Sequence, residues 1–302
     1  MVAPAAPAAP PRAFAGLLAR RWPLEAWLPA VAAAAGFVLL FAEPATRLVH
    51  DWLNDDDASY GMLLFPIALW LAWRSGLRAG TRPNARAGTW IIAGAVGVRV
   101  VGAIAAEFFT QRFSIWLALV GIVVFAWGWQ QVRHWWLPII VLLLAIPLPA
   151  LLINYFAIPL QFRASSLGTA LIKWRHIPVR TTGNVIQIPN ATLFVAEACS
   201  GLRSLSALIA LSVMLGGMYL RTVVSRTVLV LLVLPTAIVL NGVRIFLTAF
   251  LVYFVDPGLA GGAAHERQGL VMFAVAFGVL GLLTAGTRLI ERRVAPGAPA
   301  NA

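Results

Sequence analysis

The feature that most constrains this chain is the recurrence of long apolar runs from Trp27 to Ile290. A run of about 20 apolar residues matches the roughly 30 Å of bilayer hydrocarbon. In that solvent every backbone N–H and C=O must be satisfied within the structure, so a spanning segment is a helix or part of a closed barrel. These runs are continuous rather than alternating, which selects helices. With 61% hydrophobic and only 11% charged residues, no soluble domain of this length is expected. The expected fold is an all-α polytopic membrane protein.

In chain order, residues 1–22 form an Ala/Pro-rich tail, expected to be disordered because it cannot pack a core. A single transmembrane domain is expected over 23–293, followed by a second disordered tail over 294–302. The apolar runs predict about eight spans. The first covers about Trp27–Phe41 and is followed by an acidic loop, Glu43–Ser59, which includes Asp55-Asp56-Asp57. The next four cover about Tyr60–Trp73, Gly88–Ala106, Phe113–Trp129 and Trp135–Ile153. The mixed segment Asn154–Trp174 reads as an interfacial helix. The β-branched stretch Ile177–Val195, punctuated by Thr181-Thr182-Gly183-Asn184 and Pro189-Asn190, reads as a small hairpin before span six. Spans six and eight are about Cys199–Leu220 and Gly269–Ile290. Between them, Thr227–Val255 is longer than a crossing needs, and Asn241-Gly242 predicts a break or kink near its outer end.

A net charge of +12 invites a nucleic-acid partner, but no nucleic-acid-binding module accompanies it. In a membrane protein such an excess reports topology and contact with lipid headgroups. Arg12, Arg20 and Arg21; Arg74, Arg78, Arg82 and Arg86; Arg133; Arg221 and Arg226; and Arg288, Arg292 and Arg293 fall on one set of alternate loops. That set is cytoplasmic by the positive-inside rule, which puts both termini inside a bacterial inner membrane and residues 154–198 outside. One arginine, Arg99, lies within a span, and the expected role is structural: pairing with a carboxylate such as Glu107 or with backbone carbonyls.

This topology gathers scattered polar residues. Cys199 is the only cysteine, so it has no intrachain disulfide partner. By itself a lone cysteine is most often a small buried residue. Here it opens span six, where free N–H groups and the helix dipole favour a thiolate, and Arg203 follows four residues later. Arg244 lies 17 residues beyond Thr227, roughly 25 Å of helix rise, which carries it near the outer end of span seven. His265 sits just before span eight, on the same side. A thiol, a guanidinium and an imidazole at one depth suit a nucleophile site. The histidines, His50, His134, His176 and His265, lack metal-ligand spacing, so neither a metal nor a cofactor is expected.

The chain resembles the exosortase/archaeosortase family of membrane cysteine transpeptidases from about Asp51 to Phe273. The resemblance rests on Ser59-Tyr60-Gly61 leading to Leu64-Phe65-Pro66, Ile146-Pro147-Leu148-Pro149, Pro159-Leu160-Gln161 and Gly183-Asn184-Val185-Ile186. Its core is Glu197-Ala198-Cys199-Ser200-Gly201-Leu202-Arg203-Ser204, Asn241-Gly242-Val243-Arg244-Ile245 and His265-Glu266. Many relatives have Ser-His-Gly where this chain has Ser59-Tyr60-Gly61. The resemblance implies a catalytic set of Cys199, Arg244 and His265, with Glu197, Arg203 and Asn241 as substrate-binding candidates. The implied substrates are exported, membrane-anchored proteins ending in a Pro-Glu-Pro-type motif, a transmembrane helix and a basic cluster, cleaved through a thioester and passed to an unidentified acceptor. Two other readings start from other features: a transporter, for which Arg99 and the break at Asn241-Gly242 would mark the substrate path, and a structural component of an envelope-polymer export system.

Overall fold

The computed structural model describes residues 24–55, 58–183, 185–189, 191–194, 201–260 and 262–294. The described chain is mainly helical. Its helices are α1 (Leu24–Asn54), α2 (Tyr60–Ser75), α3 (Ala85–Ile104), α4 (Phe108–Trp127), α5 (Trp129–His134), α6 (Trp136–Leu144) and α7 (Ala150–Trp174). Strands β1 (Arg180–Thr182), β2 (Val185–Ile188) and β3 (Ala191–Phe194) follow. Then come α8 (Gly201–Tyr219), α9 (Val223–Phe254), a 3-10 turn (Pro257–Ala260) and α10 (Gly262–Val294). Among the described residues four segments are long and apolar enough to cross a membrane: Ala85–Ile104, Phe108–Trp127, Val223–Phe254 and Arg267–Val294. The chain is a multi-pass helical membrane protein, and it divides into two compact units.

The first unit takes residues 1–53 and 65–143. Helices α3 and α4 pack with almost no gap, because their contact is built on glycine. A Cβ on Gly88 would sit 2.5 Å from the Phe125 backbone, and one on Gly121 would meet Ile92 at 2.8 Å. Small residues let helices approach closely where lipid offers no hydrophobic drive to associate. The stretch expected to be an acidic loop is instead helical as far as Asn54. Two of its carboxylates explain the difference, since Glu43 pairs with Arg99 on α3 and Asp51 with Arg112 on α4.

Arg99 also repairs a backbone defect. Pro44 has no N–H, so the carbonyl four residues before it, that of Leu40, loses its helical donor. The Arg99 Nε–H takes that place at 3.3 Å, while Nη2 meets Glu43 at 2.9 Å. The expected partner Glu107 is used elsewhere. It caps α4, accepting from the Phe109 and Thr110 N–H groups. Burial raises the Glu107 pKa, but the hydroxyl and backbone N–H of Thr110, the Phe109 N–H and the charge of Arg112 together hold it below the usual carboxylate range.

The second unit takes residues 54–64 and 144–302. The expected fifth span does not run through to Ile153. Helix α6 stops at Leu144, and Ile146-Pro147-Leu148-Pro149 breaks the chain before α7 starts at Ala150. Two prolines in three residues remove N–H donors and force the preceding residues extended, which ends a helix. The segment expected as interfacial, Asn154–Trp174, is therefore the greater part of α7.

Nor is there a break at Asn241-Gly242, because α9 is continuous from Val223 to Phe254. Gly242 serves instead as a notch for α7. Its Cβ would stand 2.8 Å from Leu167, and one on Gly168 would stand 2.7 Å from Ile245. The expected hairpin is a three-stranded antiparallel sheet in the order β1-β2-β3. Thr182 pairs with Val185, and Ile188 with Ala191. Alternation along β2 turns Ile186 and Ile188 to one face. That face, with Leu193, packs on Ala164 and Ile172 of α7 and on Ile245, Ala249 and Val252 of α9. The sheet thus rests on the half of α9 that carries Arg244.

Candidate functional site

Helices α8, α9 and α10 form an antiparallel bundle that fixes which residues meet at each end. Leu205, Leu208, Leu229, Val233, Ala276 and Leu280 make its dry core. At one end, Glu291 near the close of α10 accepts from the N–H groups of Arg221 (3.1 Å) and Thr222 (2.6 Å), which precede α9. Arg226 donates from Nε and Nη2 to the Leu220 carbonyl just past α8. The α8–α9 turn and the end of α10 are clamped together there, so the beginnings of α8 and α10 lie toward the opposite end, with the later part of α9.

At that opposite end stands Arg244. Its guanidinium lies against α10, so close that a Cβ on Gly269 would be 3.3 Å from Nη2. The same turn of α9 is tied to α10 by polar contacts. The Thr248 hydroxyl stands 2.8 Å from Gln268 Oε1 and 3.0 Å from the Arg244 carbonyl, and its single proton serves one of the two. Gln268 Nε2 reaches the same carbonyl at 3.4 Å. His265 lies on the first turn of α10, four residues before Gly269.

Between α7, α8 and α9 is a small cavity of about 20 Å³, room for about one water molecule. Gln161 and Ala164 of α7, Leu205 of α8, and Ala237 and Asn241 of α9 line it. Asn241 stands one turn before Arg244, so the cavity and the guanidinium occupy neighbouring turns of α9. The structure therefore brings together Arg244, Asn241 and the start of α10. Arg203 lies in the first turn of α8. Cys199 and Glu197 lie outside the described residues, upstream of α8.

Thr248, Gln268 and Gly269 support Arg244 without having been singled out from the sequence. Helical spacing carried the signal: Thr248 is four residues after Arg244, and Gln268 and Gly269 are one turn after His265. The two features that favoured a transporter have structural explanations, in the partners of Arg99 and in the continuity of α9.

The apolar helices define a multi-pass membrane protein, and an arginine within one of them, held against a neighbouring helix and near a small cavity, is its candidate site. The chain belongs to the transmembrane exosortase family, whose model matches residues 52–282. Membership implies a cysteine-transpeptidase kind of membrane enzyme whose substrates carry sorting signals. No curated protein and no solved structure matches the chain.

Proposed function

We propose that this protein cleaves the C-terminal sorting signal of exported, membrane-anchored proteins through a thioester on Cys199. The observation that carries the reading is the packing of Arg244 against the start of α10, with the start of α8 in the same bundle. Cys199 precedes α8, and His265 lies on the first turn of α10. The signal is of the Pro-Glu-Pro type followed by an apolar helix and a basic cluster. Such an anchored tail diffuses laterally to a site at membrane depth.

In this reading Cys199 attacks the scissile carbonyl as the thiolate. A thiolate both attacks and leaves well, which suits a cycle that must acylate and then release. His265 gives its proton to the departing amine and takes one from the acceptor that follows. Arg244 stabilises the oxyanion with a fixed charge and a planar donor fork. Arg203, Glu197 and Asn241 bind the substrate. An amine acceptor completes transpeptidation, and water completes hydrolysis.

The same reading has residues 23–293 acting as one domain in the bacterial inner membrane, with eight crossings, both termini cytoplasmic and the site outside. A reporter fused after Arg82 should score cytoplasmic, and one near Gly183 extracytoplasmic. If both score on one side, the placement of the site collapses. For the chemistry, Cys199→Ala should insert at normal levels and accumulate uncleaved substrate, and Cys199→Ser should be nearly as inactive. Robust processing by Cys199→Ala would end the reading.

A further inference from the structure

The cavity one turn from Arg244 is lined by two side-chain amides, Gln161 and Asn241. Gln161 is 9% exposed, and Asn241 is half-buried on the facing helix. Among the described residues, neither carboxamide is hydrogen-bonded, yet both line the same small space. Each amide therefore offers its donors and acceptor to whatever enters the cavity. The rest of the lining, including Leu160, Ala164, Leu205 and Ala237, is apolar. The cavity thus offers hydrogen bonds but no charge.

We infer that Gln161 and Asn241 form a receptor for a single peptide group of the substrate, beside its scissile bond. This rests on the proposed cleavage of a membrane-anchored signal and names what the site must recognise in it. A peptide bond inside a helix cannot be attacked until the helix unwinds, and unwinding frees N–H and C=O groups. At membrane depth those groups have no water to turn to. A carboxamide supplies one acceptor and two donors, so the pair can accept from one freed N–H and donate to one freed C=O. A space the size of a water molecule admits a carbonyl oxygen. Because the pair binds backbone and carries no charge, it reads that the segment is unwound rather than which side chains it bears. Gln161 and Asn241 are thus positioning residues: they hold the strand, while Cys199 does the chemistry.

The test uses full-length enzyme in lipid vesicles and a synthetic tail bearing the sorting signal. Gln161→Leu and Asn241→Leu remove the amides. If the amides were merely structural, these variants would lose abundance or thermal stability. We expect both to stay close to wild type in abundance and thermal stability. The KM should rise about fivefold for each, the worth of one neutral hydrogen bond, with less change in kcat.

A second arm replaces single peptide bonds of the tail, one at a time near the scissile bond, by esters, which removes one N–H. Wild type should lose about fivefold in affinity at one position, and Gln161→Leu or Asn241→Leu should lose nothing further there. Additive losses at every position, or variants that match wild type in KM, would overturn the receptor while leaving the cleavage reading intact. Failure of wild type to process the tail would overturn both.

Discussion

Arg99 and Arg244 both lie within long apolar helices, and their surroundings differ. Arg99 is fully engaged. Its Nη2 meets a carboxylate, its Nε–H replaces the donor missing at Pro44, and it is 8% exposed. Arg244 is half-buried, its guanidinium faces the start of another helix, and a cavity opens one turn away. A charge in a span is a sign of function by default, and the pair shows where that default fails. An arginine engaged by helix-repair contacts is part of the scaffold. In the proposed reading Arg244, held against the start of α10, serves the chemistry instead.

The sharpest way to break the comparison is to exchange the chemistry of Arg244 for charge alone. Arg244→Lys keeps the cation and loses the planar fork. Processing per molecule should fall about 10²–10³-fold, the range for removing an oxyanion donor, with abundance near wild type. Immunoblots that resolve cleaved from uncleaved substrate, normalised to enzyme, measure it. Near-normal processing would put Arg244 in the same class as Arg99.

Gly88→Ala should act in the opposite way. Its Cβ would collide with the Phe125 backbone, which cannot swing aside. Overpacking costs about 1–3 kcal/mol, so detergent thermal melts should show a loss of stability while the surviving protein processes normally. Gly168→Ala should cost more than Gly242→Ala, because it meets Ile245 Cβ and the Gly242 carbonyl rather than the movable Leu167 side chain.

Glu43→Gln should leave the buried Arg99 guanidinium without its counter-charge. The expectation is reduced abundance and unchanged specific activity, at less than the roughly 3–5 kcal/mol of a fully buried pair, because Glu43 is half exposed.

The smallest effect concerns Glu107. Its folded pKa lies below its unfolded one, so its contribution is present above the usual carboxylate range. That contribution is lost as pH falls through the depressed folded value. Glu107→Ala should lower stability by about 1 kcal/mol at neutral pH, as other lost caps do. The gap from wild type should close in acid melts.

Much of this fold was legible in the apolar pattern. The third and fourth runs begin and end within about five residues of α3 and α4, whose N-termini are capped by the side chains of Asn84 and Glu107. Failures came where a local signal met a distant partner. Glu43 and Asp51 look like loop residues until Arg99 and Arg112 are placed beside them. Asn241-Gly242 looks like a turn until Leu167 is seen filling the notch. The opposite error occurred at Ile146-Pro147-Leu148-Pro149, where apolar composition outweighed what two prolines do to a helix. For the site, helix position was what the sequence carried: Arg244 stands in the later half of α9 and His265 on the first turn of α10. Gln161 was legible only as a motif fragment, since its meaning depends on the helix it faces.

The central claim is that Arg244 serves a covalent step at Cys199 and Arg99 does not. Mass spectrometry of purified full-length enzyme, quenched soon after mixing with a sorting-signal tail, tests it most directly. The account predicts a hydroxylamine-labile acyl adduct on Cys199 in wild type and, at the same rate per folded molecule, in Arg99→Met. In Arg244→Lys the adduct should form at least a hundredfold more slowly. Processing without any adduct on Cys199, or equal adduct formation in both arginine variants, would contradict it.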